Sequence, residues 1–96
     1  MNIEILPEAK ADPDDGFWFY ERQGTGLGEY FLSSLTSDIR SLQLFAGIHL
    51  RFGDRFRMLA SRFPFSIFYR TEQDIVQIYA VIDNRRDPRW IRERLK

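Results

Sequence analysis

The chain has 96 residues, of which 44% are hydrophobic, with nine Phe, four Tyr, two Trp and no cysteine. This length fits one domain over residues 1–96, with enough apolar side chains for a globular core. The absence of cysteine excludes disulfides, thiolate nucleophiles and zinc sites built on Cys, and one histidine is too few for a metal cluster. We therefore expect neither a metal nor a cofactor.

The termini and the apolar runs give expectations about location. The first residues lack the charged head and apolar run of a signal peptide. No apolar stretch approaches the roughly 18 residues that a membrane-spanning helix needs. We expect a cytoplasmic protein that does not contact membranes.

The two halves of the chain carry opposite charge, although the formal net charge is zero. Residues 1–48 have three Lys or Arg and eight Asp or Glu, whereas residues 49–96 have eleven and six. Ten of those eleven cations are Arg, the side chain suited to bidentate contact with phosphate or carboxylate. This pattern is compatible with a solvated surface of ion pairs or with a basic face that meets nucleic acid or an acidic protein segment.

Two helices are predicted in the first half of the chain. Asp12 followed by Pro13 predicts a helix with Asp12 as its N-cap, ending before Gly24. A longer helix is predicted by apolar residues at steps of three and four, and Gly47 can end it. Its apolar positions are Leu27, Phe31, Leu35, Ile39 and Leu42. The two helices form an antiparallel hairpin in this prediction.

Strands are predicted on either side of the hairpin. Residues 2–6 are expected near a sheet edge because Pro7 follows, and residues 56–61 and 65–70 alternate or are apolar. Residues 75–82 are apolar on both faces except at Gln77, as in an interior strand. We interpret residues 48–54 as a connection, despite their alternation, and residues 89–96 as a short helix after the Asp87-Pro88 start.

The resulting order is β-α-α-β-β-β-α, which predicts the α+β class. In this architecture an antiparallel-rich sheet of about four strands packs against the helical hairpin. The two adjacent apolar strands, with arginines near their ends, are the centre of the predicted sheet and of its positive charge.

Several motifs resemble those of the RelE/ParE superfamily of type II toxin–antitoxin toxins, nearest to the ParE-like, plasmid-stabilisation branch. They occur in the right order over nearly the whole chain. They are Trp18-Phe19-Tyr20-Glu21, Gly26-Leu27-Gly28-Glu29-Tyr30-Phe31, the run from Arg62 to Arg70 and Ala80-Val81-Ile82 with Arg85-Arg86-Asp87-Pro88. The resemblance implies a growth-inhibiting toxin that is neutralised by a cognate antitoxin, with DNA gyrase or the ribosome and its mRNA as candidate targets.

Three functions remain open on this resemblance. A ParE-like gyrase poison needs a binding surface and no catalytic residue. A ribosome-dependent mRNA endonuclease, free of metal, needs a base, an acid and cations near the phosphate. An inactive family member would act only as a binding protein.

The resemblance also indicates candidate residues for the site. Arg62 and Arg85 or Arg86 match in kind the arginines that contact the scissile phosphate in RelE-type nucleases. Asp83 lies where relatives often carry His, and the only histidine, His49, is in the connection. That difference weakens the nuclease hypothesis, and it leaves enzymatic activity an open question.

Four further residues are candidates for the surface that meets the antitoxin or the target. They are Trp18, Arg70, Arg89 and Trp90. Trp90 either caps the sheet or is exposed beside arginines as an interaction hot spot. Phe17, Trp18 and Tyr20 cannot all face the core, because they fall within four consecutive positions.

Overall fold

The computed structural model describes residues 1–96 and confirms the α+β class. After a first strand come two helices, four strands and a last helix. Their bounds are β1 Asn2–Ile5, α1 Asp12–Glu21, α2 Leu27–Phe45, β2 Leu50–Phe52, β3 Arg55–Leu59, β4 Phe65–Glu72, β5 Ile75–Asp83 and α3 Pro88–Arg94, with a 3-10 turn at Pro7–Ala9. None of the helices combines the length and the apolarity needed to cross a bilayer.

The sheet has five strands in the order β1-β5-β4-β3-β2, one more than the expected four. The additional strand, β2, lies in the segment interpreted as a connection, where it pairs antiparallel with β3. β1 pairs parallel with β5 at the opposite edge, so the sheet is mixed. β5 is interior, as its apolar sequence predicts.

A bulge in β5 distributes its side chains between the two faces of the sheet. Phe68 pairs with Ala80 but the next residue, Tyr69, pairs with Ile78, so Tyr79 has no partner. Because side chains alternate along a strand, one additional residue reverses the alternation. Ile78 therefore faces the helical hairpin, and both Ala80 and Ile82 face α3.

The main core lies between the hairpin and the sheet and is built on aromatic side chains. Phe31, on the predicted stripe of α2, is 1% exposed and lies 5.2 Å from Tyr20, 5.2 Å from Phe63 and 4.9 Å from Phe65 between ring centroids. Such tilted and edge-on pairs each stabilise a core by about 0.5–1.5 kcal/mol beyond the burial of area. The stripe therefore holds the hairpin against β4.

The other face of the sheet is covered in part by α3. Ile91 and Leu95 pack on Phe68 and its neighbours, and the Arg55 side chain donates to the Leu95 carbonyl at 3.0 Å. Asp87 caps the helix as predicted, because its carboxylate accepts from the Arg89 backbone N–H at 2.8 Å.

The predicted capping role of Asp12 is wrong. Its side chain accepts no hydrogen bond from the first turn of α1. Instead, Oδ2 accepts from the Val81 backbone N–H at 2.9 Å and from Arg94 at 2.8 Å. Asp12 therefore connects α1 to β5 and α3, a long-range role that local sequence does not reveal.

The hairpin depends on a close approach at Gly28, which gives a first stability prediction. A Cβ at this position would lie 2.6 Å from the Phe17 ring and 2.9 Å from the Phe17 carbonyl oxygen. Because backbone cannot move aside as a side chain can, we expect Gly28→Ala to lower the free energy of unfolding by about 1–3 kcal/mol. Thermal unfolding measures this loss.

Gly24→Ala is the matched control for Gly28→Ala. A Cβ at Gly24 would meet only the flexible end of the Leu27 side chain, at 3.1 Å. We expect a clearly smaller effect, and equal losses in the two variants would contradict the close approach.

Candidate binding cleft

Three arginines predicted for the site lie at one end of the sheet. Phe65, the first residue of β4, pairs with Asp83, the last residue of β5. The chain therefore enters β4 and leaves β5 at the same end. Arg62 precedes this end, and Arg85 and Arg86 follow it.

A cleft of about 610 Å³ opens between α1, the end of β5 and α3. Trp18 and Phe19 contribute aromatic side chains from α1, and Arg86 and Trp90 come from the other wall. The remaining lining residues are Asp12, Asp15, Gly16, Arg22, Phe65, Val81, Ile82, Asp83 and Arg94. Three of the seven predicted site residues, Trp18, Arg86 and Trp90, thus share one cavity.

Both tryptophans of the cleft are exposed. Trp18 is 55% exposed and Trp90 is 41% exposed, although Trp is the largest apolar side chain in the protein. On α3, Ile91 and Leu95 pack into the core cluster of this sheet face, whereas Trp90 lines the cleft. Exposed Trp beside Arg is the composition found at the centre of protein interfaces.

Arg85 and Arg86 differ in the availability of their charge. Arg85 donates two hydrogen bonds to Asp83, at 2.9 and 2.7 Å, and its guanidinium lies 5.3 Å from the Phe19 ring. The Arg86 guanidinium lies 4.1 Å above the Trp90 ring and is in none of the ion pairs. Arg86 therefore has no carboxylate partner and can bind a negative group of a ligand.

The other predicted residues lie around or away from the cleft. Arg62 donates to the Tyr30 hydroxyl at 3.0 Å and has no carboxylate partner. Arg89 is on the exposed side of α3, and its guanidinium forms a long ion pair of 3.5 Å with the Asp87 carboxylate. Arg70 pairs with Gln77, five residues along β4 from Phe65, which is about 17 Å in a strand. The structure does not bring Arg70 to the cleft.

Asp12 and Arg94 line the cleft as an ion pair. Arg94 donates to both carboxylate oxygens of Asp12, at 3.0 and 2.8 Å, and to the Glu8 carbonyl at 2.6 Å. Burial raises the pKa of Asp12, while the Val81 and Arg94 hydrogen bonds lower it. Because this pair is satisfied internally, it supports the cleft walls and leaves little charge for a ligand.

Asp83, which lies where the resemblance places a histidine, is a poor group for proton transfer. Asp83 is held as a carboxylate, because the hydrogen bonds from Arg85 keep its pKa below the usual value. A carboxylate of lowered pKa is a poor general base. No histidine lines the cleft.

His49 lies elsewhere and has a structural role. Its Nδ1 is hydrogen-bonded to the hydroxyl of Tyr69, a fully buried core residue. The same hydroxyl accepts from the Gly47 backbone N–H at 2.9 Å. These bonds attach the end of the connection after α2 to β4.

This arrangement predicts a pH dependence of stability. Burial lowers the pKa of His49 from its ordinary value of 6.5. As pH falls below 6.5, the unfolded chain takes up a proton before the folded chain does. The contribution of His49 to the free energy of unfolding is therefore fully present above that pH and decreases below it. Urea denaturation between about pH 7.5 and pH 5.5, a window above the usual carboxylate pKa values, measures the decrease.

His49→Gln is the variant that tests this assignment. Gln cannot titrate, so the decrease between these two pH values should become shallower. An unchanged pH profile in the variant would show that His49 is not the responsible group.

A second polar cluster, which sequence reasoning missed, lies on the sheet face that α3 covers. Arg57 donates to the Ser66 hydroxyl at 2.7 Å and to Asn84 Oδ1 at 3.2 Å. Ser66 also donates to Asn84. Both partners are neutral, so Arg57 keeps a positive charge without a carboxylate nearby. Alternation in β3 indicates the face of Arg57, but its partners come from β4 and from the turn after β5 and leave no local pattern.

Comparison with known proteins supports the fold. No protein-family model matches the chain, and no curated protein matches its sequence. Seven chains of solved structures match it. One of these chains has a TM-score of 0.72 and 21% sequence identity with this protein, and the match covers 86% of this chain and 95% of the other. Its structure is described as "Chromosomal ParDE TA system from P. aeruginosa". The protein therefore shares its fold with a chain of a toxin–antitoxin system.

Proposed function

We propose that this protein is the ParE-like toxin of a type II toxin–antitoxin module. In this proposal it inhibits growth by binding its target, with DNA gyrase as the first candidate. A cognate antitoxin neutralises it by occupying the cleft between α1 and α3. The plasmid-stabilisation role and the cytoplasmic location belong to the same proposal.

The observation that carries the proposal is the chemistry of the cleft. It has two exposed Trp and an unpaired Arg86, but Asp83 is bound to Arg85 and no histidine is present. A surface of this kind can contribute binding free energy without transferring a proton. The shared fold with a chain of a ParDE system is independent support.

The antitoxin would be an amphipathic segment. Apolar side chains would pack on Trp18 and Trp90, and an acidic side chain would pair with Arg86. Arg62 and Arg89 would add contacts at the rim, whereas Arg70 is too distant to take part. Segments that are disordered when free often bind in this way, burying apolar anchors along an open groove.

The grouping of Arg62, Arg85 and Arg86 at one sheet end favours a second candidate function, metal-free cleavage of ribosome-bound mRNA. Three cations could stabilise the charge of a phosphorane. This candidate has no identified base, and the Asp83 carboxylate reduces the charge of Arg85. It therefore ranks below the binding mechanism.

Induced expression in bacteria tests the proposed function. We expect growth arrest that is reversed by co-expression of the adjacent open reading frame, which should encode a protein with an acidic, disordered tail. Unimpaired growth while the folded protein accumulates would refute the toxin assignment. If Arg62→Ala and Arg86→Ala leave the arrest unchanged, these arginines do not contact the target.

A further inference from the structure

Helix α1 presents one exposed stripe of side chains to the cleft. The stripe has members at positions i, i+3, i+4 and i+7, which lie on one side of a helix. These members, which we call the α1 stripe, are Asp15, Trp18, Phe19 and Arg22. Other residues attach α1 to α2, since Gly16 and Tyr20 are buried and lie against the Phe31 ring. The α1 stripe is therefore not needed for packing within the chain.

The two charged ends of the α1 stripe have no ion-pair partner within the chain. Neither Asp15 nor Arg22 takes part in any of the ion pairs, whereas Asp12, in the same first turn as Asp15, is held by Arg94. Seven residues separate the two ends, which corresponds to about 10.5 Å along a helix axis. The α1 stripe thus begins with an available negative charge and ends with an available positive charge.

The middle of the α1 stripe is aromatic and open to solvent. Trp18 is 55% exposed and Phe19 is 43% exposed, and Trp90 on the other wall is 41% exposed. An aromatic side chain buries about 150–250 Å² when it is covered, so three rings that are about half exposed leave roughly 300 Å² open. An apolar patch of this size with a charged rim indicates contact with another molecule.

The order of charges makes the α1 stripe complementary to itself. The midpoint between Asp15 and Arg22 falls between Trp18 and Phe19. When two copies of α1 lie antiparallel about this midpoint, Asp15 of each copy lies beside Arg22 of the other. Trp18 of each copy then lies beside Phe19 of the other, as twofold symmetry requires. A parallel arrangement would place like charges beside each other, which is unfavourable.

We propose that this protein forms a reversible homodimer with twofold symmetry, in which the α1 stripes of two copies pack antiparallel. Two ion pairs between Asp15 and Arg22 flank a centre of Trp18 and Phe19 rings. The aromatic area is small compared with the roughly 800 Å² that each partner buries in a standard interface. We therefore expect a weak dimer, with a dissociation constant of about 10–100 μM.

Other occupants match the α1 stripe less well than a second copy does. A nucleic acid, or a segment with only acidic side chains, would meet the available carboxylate of Asp15 at one end. The dimer covers the cleft and therefore excludes the antitoxin and the target until it dissociates, a consequence that rests on the proposed function. Formation of the dimer itself does not depend on that function.

Sedimentation velocity of the full chain tests the proposal. Between about 5 and 500 μM, a range that spans the expected dissociation constant, wild-type protein should change from monomer to dimer. Asp15→Arg should weaken self-association by about tenfold or more, because each dimer exchanges two attractions for two repulsions. Arg22→Asp should have the same effect for the same reason.

Exchange of the two charges separates this contact from a general effect of charge. The double variant Asp15→Arg/Arg22→Asp should dimerise with an affinity within about threefold of wild type, because both ion pairs form again with their members exchanged. An equimolar mixture of the two single variants should sediment as a heterodimer at a concentration where each alone is a monomer.

Asp14→Arg is the matched control. Asp14 lies in the same first turn of α1 and is exposed, but it is not in the α1 stripe. Both substitutions place a cation near the helix N-terminus and so carry a similar cost in helix stability. Asp14→Arg should leave self-association unchanged, and thermal unfolding verifies that each variant is folded.

Three results would overturn the proposal. They are a wild-type protein that stays monomeric throughout the range, equal effects of Asp14→Arg and Asp15→Arg, and single variants that do not associate when mixed. Sedimentation requires no toxin activity, and the growth assay requires no dimer. The dimer and the proposed function can therefore each fail alone.

Discussion

Phe31→Ala should lower the free energy of unfolding by about 3–5 kcal/mol, the usual cost of removing a buried aromatic side chain. Phe31 is 1% exposed and lies in contact with aromatic rings from α1, the loop before β4 and β4 itself. No neighbouring side chain can fill the resulting cavity without leaving its own contacts. Because small domains are stable by only about 5–15 kcal/mol, the variant should be close to unfolding.

Urea denaturation measures this loss, and Phe45→Ala is its control. Both residues are Phe on α2, but Phe45 is 51% exposed, so its replacement should change stability by less than about 0.5 kcal/mol. If Phe31→Ala does not fold, Phe31→Leu gives a measurable intermediate loss. Similar losses at Phe31 and Phe45 would contradict the assignment of the hairpin core.

Arg86→Glu should weaken binding of the protein encoded by the adjacent open reading frame by about 30- to 1000-fold, which corresponds to 2–4 kcal/mol. The change removes the unpaired cation of the cleft and the contact of its guanidinium with Trp90, at 4.1 Å. It also places a carboxylate where an acidic residue of the partner would bind. Calorimetric titration of the purified proteins measures the effect.

Arg70→Glu is the matched control for Arg86→Glu. It makes the same charge change on an exposed residue at the opposite end of β4, so binding should be almost unchanged. Equal effects of the two variants would mean that total charge, and not the cleft, determines binding. A folded Arg86→Glu variant with unchanged affinity would refute the role of the cleft.

Most of the fold could be predicted from sequence because its main elements have strong local patterns. The stripe around Phe31 repeats at helical spacing, and the apolar run of β5 is typical of an interior strand. Asp87 followed by Pro88 determines the start of α3 through contacts within one turn. Each of these patterns lies within a few residues of the structure that it predicts.

The errors arise where distant contacts decide the structure. Asp12 has the sequence pattern of an N-cap, but Val81 and Arg94, which are 69 and 82 residues away, hold its carboxylate. β2 was missed for a different reason: it has only three residues, so the alternation of residues 48–54 was interpreted as a connection, although β3 pairs with it across a tight turn.

The cleft could be anticipated only in part from the sequence, because its walls come from distant segments of the chain. Trp18 and Trp90 were selected by residue type, and the sequence could not show that they line one cleft from two helices. The sequence treats Arg85 and Arg86 alike, yet the turn after β5 directs Arg85 onto Asp83 and Arg86 onto Trp90. Only the structure distinguishes the paired arginine from the available one.

A translating bacterial extract that receives the purified protein distinguishes a cleft that binds a target from one that cleaves RNA. We expect transcripts on the ribosomes to stay intact, while supercoiling by added DNA gyrase decreases with wild-type protein and not with Arg86→Glu. Transcripts cut at discrete sites by wild-type protein, with the cuts lost in Arg86→Glu, would refute the binding mechanism and assign the arginines to a nuclease.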